Sequence, residues 1–106
     1  MLKVLSLLGI IKRAGKLVYG EMVLDKIRSV RFLFIASDAS AKTKERYYKK
    51  CWYYKIPYID KLNSNELCKA IGKDNVKIIG VVDSGFSKAI EKLIRQKEDQ
   101  DGKTNI

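Results

Sequence analysis

Arg13, Lys16, Gly20 and Lys26 are among the residues of this chain best suited to holding an anion. The basic turn Lys12-Arg13-Ala14-Gly15-Lys16 closes a long apolar segment, and an amphipathic helix is expected to open at Gly20-Glu21. Phosphate oxygens or base edges would meet free backbone N–H groups at that helix N-terminus. Lys16 would add charge and Lys26 would stand on the exposed side. A second cationic surface is expected on a helix over residues 42–54. There Lys42, Arg46, Lys49 and Lys50 share one side, and Tyr47, Tyr48, Cys51 and Trp52 share the other. Tyr53 sits among the cations, where a lone aromatic can stack on a base. The plainer reading is a solvated face with Tyr53 resting on lysine stems, and the aromatics of the opposite side are expected in the core.

The charge balance supports an anionic partner. Lys plus Arg number 22 against 12 Asp plus Glu, a net +10 over 106 residues of which 46% are hydrophobic. The surplus is not in a tail. Residues 98–106 set Glu98, Asp99 and Asp101 against Lys103, so residues 1–97 are more basic than the chain as a whole. A domain this basic repels itself, and nucleic acid is the usual compensation, with a basic membrane-surface domain as the alternative.

Catalysis has little support. There is no histidine, which removes the common acid–base groups and the usual triads. Gly9, Gly15 and Gly20 fit neither a dinucleotide fingerprint nor a P-loop. Ser84-Gly85 lacks the flanking glycine of a nucleophile elbow. No enzyme and no cofactor are expected. Cys51 and Cys68 are too few and too far apart for a zinc site, so no metal is expected and both thiols should pack as small apolar groups in a reducing compartment. The apolar opening breaks at Lys12-Arg13, too early for a membrane span, and shows no signal peptide. These readings together predict a cytoplasmic protein, with nothing that compels more than a monomer.

The elements that must position these residues alternate. Leu2, Val4, Leu5, Leu7, Leu8, Ile10 and Ile11 suit a first helix with a wide buried face, stopped near Gly15. Leu17-Val18 fits a short strand. Val23, Leu24, Ile27 and Val30 share a face of a helix over residues 20–29. Phe32-Leu33-Phe34-Ile35-Ala36 and the run over residues 76–82 read as strands covered on both faces. Ser37-Asp38-Ala39-Ser40 and Asp83-Ser84-Gly85 follow these two runs; the first offers several caps for the next helix, and Asp38 and Asp83 both read first as capping. Residues 56–59 suit a short strand, with Pro57 favouring an edge or a strand start. Asn63-Ser64-Asn65-Glu66 caps another helix, ended by Gly72, before the loop Lys73-Asp74-Asn75. Phe86, Ala89, Ile90, Leu93 and Ile94 keep a helical spacing in the last element. The pattern predicts an α/β fold, a three-layer α–β–α sandwich with a small mixed sheet of about four strands. Residues 1–97 would form one domain and residues 98–106 a polar, disordered tail.

The chain resembles a known family. The motifs are Arg13-Ala14-Gly15-Lys16-Leu17-Val18, Gly20-Glu21, Ala36-Ser37-Asp38-Ala39-Ser40, Thr43-Lys44 and Ala70-Ile71-Gly72, with Gly85-Phe86-Ser87-Lys88-Ala89-Ile90. In order and spacing they are similar to the bacterial YlxQ-type members of the kink-turn-binding ribosomal-protein superfamily (L-seven-Ae/L-thirty-e). The resemblance implies an α–β–α sandwich, associated with the ribosome, that binds kink-turn-like RNA. It implies that the helix over residues 20–29 reads guanines and that the loop over residues 72–76 covers flipped-out nucleotides. The residues it assigns are Arg13, Lys16, Gly20, Glu21, Met22, Lys26, Lys73, Asp74 and Asn75. The family's reading pair, Asn-Glu, falls on Glu21 and Met22, and its following Lys on Asp25, with Lys26 next to it. Partners would be RNA and ribosomal proteins. The alternative is a protein–protein module of the same fold without kink-turn readout.

Overall fold

The computed structural model describes the backbone of residues 2–102 and the side chains of residues 2–95. The elements run α1 (Leu2–Arg13), β1 (Leu17–Tyr19), α2 (Met22–Asp25), a 3-10 turn (Ile27–Ser29), β2 (Phe32–Ile35) and α3 (Ala41–Tyr54). They continue β3 (Tyr58–Ile59), α4 (Ser64–Ile71), β4 (Ile78–Val81) and α5 (Ser84–Gly102). The side chains of the tail over residues 98–106, and its backbone from residue 103, lie outside the described residues.

The four strands form one mixed sheet in the order β1-β4-β2-β3. β4 is antiparallel to both β1 and β2, and β3 lies parallel to β2 at the edge. Every residue of β2 and β4 is buried, as expected for strands covered on both faces. The pleat then divides the core. Phe32, Phe34, Ile79 and Val81 pack with Val4, Leu8 and Ile11 of α1, Leu67 and Ile71 of α4, and Ile90 of α5. Leu33, Ile35 and Ile78 face the other way, toward Val23, Ile27, Val30, Tyr47 and Cys51. Gly80 also faces that side, where an added Cβ would lie 3.1 Å from Val30 Cγ2. The α–β–α sandwich is therefore observed, with α1, α4 and α5 behind the sheet and α2, the 3-10 turn and α3 in front.

Helix ends follow local chemistry. Asn63 caps α4 through a capping box: its side chain accepts from Glu66 N–H at 2.8 Å while Glu66 accepts from Asn63 N–H at 3.0 Å. Gly72 closes that helix at φ +68°. Asp83 caps α5, accepting from Phe86 N–H at 2.9 Å. Asp38 departs from the expected pattern. Ser40 caps α3, accepting from Thr43 N–H. Asp38 instead reaches across to α4, accepting from Ser64 N–H at 2.8 Å and Ser64 Oγ at 2.6 Å. Lys77 Nζ adds a contact at 3.2 Å. Ser64, then its own backbone N–H, then Lys77 hold the Asp38 carboxyl well below the usual carboxylate range.

Three further expectations are corrected. The face of α1 is narrower than its apolar content suggested, with Leu2 81% and Ile10 46% exposed. The strand expected over residues 76–82 begins only at Ile78, because Val76 N–H turns aside to Cys68 Sγ at 3.3 Å. Trp52 is 82% exposed rather than in the core, while Tyr47 and Cys51 on the same helix are buried. Burial pushes the Cys51 thiol up to about 11.

Candidate nucleic-acid interface

The helix expected over residues 20–29 is broken. Gly20 turns the chain at φ +65°, a conformation that an L side chain rarely adopts. α2 then makes a single turn, and at Lys26 the backbone shifts into the 3-10 turn. Val23 and Ile27 still point into the core because they lie four residues apart across the α-turn, and Val30 joins them three residues after Ile27, the 3-10 repeat. One turn carries little macrodipole, so the anion-holding power expected of a helix N-terminus is small here. What the turn does offer is donors. Gly20 N–H is used by Ile78 C=O at 3.0 Å, and the N–H groups of Val23 and Leu24 close the turn. Those of Glu21 and Met22 have no acceptor among the described residues. Both side chains are exposed, Met22 by 52%.

The basic turn before β1 behaves differently. Gly15 sits at φ +74°. Gly15 N–H bonds Lys12 C=O at 2.9 Å and Lys16 N–H bonds Ile11 C=O at 3.1 Å. That pair is a Schellman closure of α1, so these N–H groups are spent on a helix C-terminus rather than free for a ligand. Arg13 and Lys16 are exposed and keep only their side-chain charge for this purpose.

Strand pairing decides which predicted residues meet. β1 pairs with β4 from Leu17 opposite Val81 to Tyr19 opposite Ile79. Gly20 therefore emerges beside the start of β4, where the loop of Lys73, Asp74 and Asn75 arrives. Lys73 Nζ lies 5.8 Å from the centre of the Tyr19 ring, a cation–π contact that ties the loop to the strand. Asn75 takes a left-handed turn at φ 59°. Gly20, Glu21, Met22, Lys73, Asp74 and Asn75 thus share one end of the sheet, with Lys26 exposed at the close of α2. Lys16 is at the opposite end of β1, its C=O accepting from Val82 N–H at 2.9 Å. Four strand steps, roughly 13 Å, separate it from Gly20. Arg13 and Lys16 are not brought into the cluster.

The cluster is less basic than the chain. Lys26 and Lys73 are outnumbered by Glu21, Asp25 and Asp74. The positive charge is concentrated in α3, where Lys42, Lys44, Arg46, Lys49 and Lys50 stand against Glu45 alone. Tyr19 is a member of the cluster that sequence reasoning missed. The signal was there, since Tyr19 continues the short strand into Gly20, but its partner lies far along the chain. Among the described residues no helix is long and apolar enough to cross a membrane.

Comparison with known proteins agrees with this architecture. No family model matches the chain. A solved structure of a protein of unknown function from Bacillus halodurans superposes with a TM-score of 0.83 at 40% identity, covering 88% of this chain and 97% of that one. The RNA-binding protein YlxQ of Enterococcus faecium is 38% identical over 95 residues, covering 87% of this chain and 91% of the relative. RNA-binding protein YlxQ of Bacillus subtilis is 36% identical over 91 residues, covering 83% and 91%. With relatives this similar across most of both lengths, the chain belongs to the YlxQ family.

Proposed function

We propose that this protein binds RNA, and that it recognises a kink-turn-like bend through the Gly20 turn and the loop over residues 72–76. The observation that carries the reading is the meeting of those two segments, far apart in sequence, at one end of the β1–β4 pair. Two relatives bear the name RNA-binding protein, which supports the same ligand class. The chemistry suits the task. The Glu21 carboxylate can accept from the N1–H and N2–H of a guanine, and the free N–H groups of Glu21 and Met22 can donate to phosphate or base oxygens. Lys26 and Lys73 neutralise phosphates on either side. Asp74 and Asn75 present polar groups to an unstacked nucleotide. The resemblance makes ribosomal RNA the first candidate, with a cytoplasmic, non-catalytic role.

The test compares a kink-turn duplex with a straight duplex of equal length at moderate salt. A clear preference for the kinked RNA is expected, and equal binding would refute shape recognition. The carboxylates around the turn, with exposed Met22, support a second reading as a protein–protein module of the same fold. Charge reversal at Lys26 and Lys73 separates them: it abolishes kink-turn binding in the first case and leaves the protein's function intact in the second.

A further inference from the structure

The densest positive charge in the molecule lies on α3, outside the cluster at the Gly20 turn. Lys42, Arg46, Lys49 and Tyr53 follow one another at i, i+4, i+7 and i+11, so they form a single stripe. Its length is about 16 Å at the helical rise. Together with Lys50 and Trp52 the stripe borders an open groove of about 920 Å³. Cations three and four residues apart on a helix repel one another. Among the described residues the ion pairs are Lys77–Asp38 and Arg95–Glu91, so no α3 cation is ion-paired there, and Glu45 is the one acid along the groove.

Two aromatic side chains accompany this charge. Tyr53 is 69% and Trp52 82% exposed. Tyr53 is not simply loose on the surface: Tyr54, half-buried against the front core, meets its ring edge-on at 4.9 Å between centroids and 82° between planes. The contact leaves a Tyr53 face open to solvent while limiting how the ring can turn. α3 itself is anchored beneath. Tyr47 and Cys51 are buried, and Tyr48 Oη donates to Asp60 Oδ2 at 2.6 Å. The stripe also adjoins the first site, because α3 packs on the 3-10 turn that follows α2.

We propose that the α3 stripe binds single-stranded RNA, with bases stacked on Tyr53 and Trp52 and phosphates along Lys42, Arg46 and Lys49. The proposal rests on RNA being the ligand class of this protein and extends it to a second surface. An unpaired cationic row calls for a polyanion, and flat open π-faces beside it call for one that carries rings; single-stranded RNA has both. An acidic peptide would satisfy the charge and leave the aromatics in water.

Trp52 is the only tryptophan of the chain, so its fluorescence reports on this face directly. The full-length protein is titrated with a short oligouridylate at moderate salt, with polyglutamate as a polyanion that lacks bases. Saturable quenching by oligouridylate alone is expected. Tyr53→Ala should weaken it about tenfold, as loss of one stacked base does, and Tyr53→Phe should restore it. Arg46→Glu with Lys49→Glu should remove it. All three positions are on the surface, and thermal melts confirm that the variants fold. No quenching, equal quenching by polyglutamate, or undiminished binding by Tyr53→Ala would overturn the proposal. A blunt kink-turn stem, titrated in parallel by anisotropy, reports on the Gly20 site, and Tyr53→Ala should bind it unchanged. Failure of the stem with success of oligouridylate removes the first site's reading and keeps this one; the converse removes this one.

Discussion

The two faces of the sheet are built for different work. Behind it lie three helices, α1, α4 and α5; their described ends are closed by a Schellman turn, a capping box and Asp83, and the large side chains Phe32, Phe34, Leu8 and Ile90 are fully enclosed. In front, cover comes from a single helical turn, a 3-10 turn and one cationic helix, and Met22, Trp52 and Tyr53 stand in water. The same strands serve both, since alternate residues of β2 and β4 feed opposite sides. The difference teaches that the larger closed core lies on one side of the pleat and the short elements and dense positive charge on the other. A face relieved of much of the packing task can keep short elements, open donors and uncompensated charge.

Substitutions should divide along that line. The largest effect is expected for Phe34→Ala behind the sheet, a loss of about 3–5 kcal/mol in unfolding free energy. Chemical denaturation measures it, and the fraction still folded should bind RNA as before. If RNA affinity fell in proportion to a smaller stability loss, the two faces would not be independent. At the end of the sheet, joint reversal of Lys26 and Lys73 to Glu should do the opposite. Stability should change by less than about 0.5 kcal/mol, while kink-turn affinity collapses and the salt slope falls by roughly one unit per lost phosphate contact.

Gly80→Ala probes the seam between the faces. Its Cβ would press on Val30 and Val18 at 3.1 and 3.2 Å, and overpacking of this kind costs about 1–3 kcal/mol. Melting reads the cost, and a concurrent loss of RNA binding would show that the front elements shift with it. Asn63→Ala removes one half of the α4 capping box and should cost about 1 kcal/mol with no effect on RNA. The smallest effect concerns pH. Asp38 is held below its ordinary value of 3.8, so its contribution is fully present above that pH and is lost as pH falls below it. Acid melts of the wild type should therefore steepen below about pH 4 relative to Asp38→Asn. Parallel curves would mean that the Ser64 contacts add nothing to stability.

Much of this fold was legible because its signals are local. The unbroken apolar runs of β2 and β4, the Asn63-to-Glu66 spacing and the glycine at 72 each act within a few residues. What was not legible depends on distance or on near-degenerate geometry. Val23 and Ile27 are four apart and Ile27 and Val30 three apart, spacings that a continuous α-helix and an α-turn followed by a 3-10 turn both satisfy, so nothing in the pattern announced the break at Lys26. Trp52 lies beside buried Cys51, and whether it is covered depends on what the fold sets against that edge of α3. Asp38 sits where a cap is expected, but its partner Ser64 is on another helix. Of the candidate site, the residue types were readable, whereas the separation of Lys16 from Gly20 and the approach of Lys73 to Tyr19 follow from strand pairing alone.

The β1–β4 pairing has a consequence for how the protein comes into being. Gly20 and Ile78 are more than half the chain apart, so the Gly20 turn meets the loop over residues 73–75 only after β4 has been synthesised and docked between β1 and β2. Pairings of such separation form late and slowly, since the intervening chain must be ordered before the contact returns any free energy. A truncated or half-folded chain presents the basic segments without the assembled cluster. An RNA that binds the completed sheet and not its precursors pulls folding toward completion, by RT ln(1 + [RNA]/Kd). In this protein, ligand and folding would then be linked through a single hydrogen-bonded strand pair.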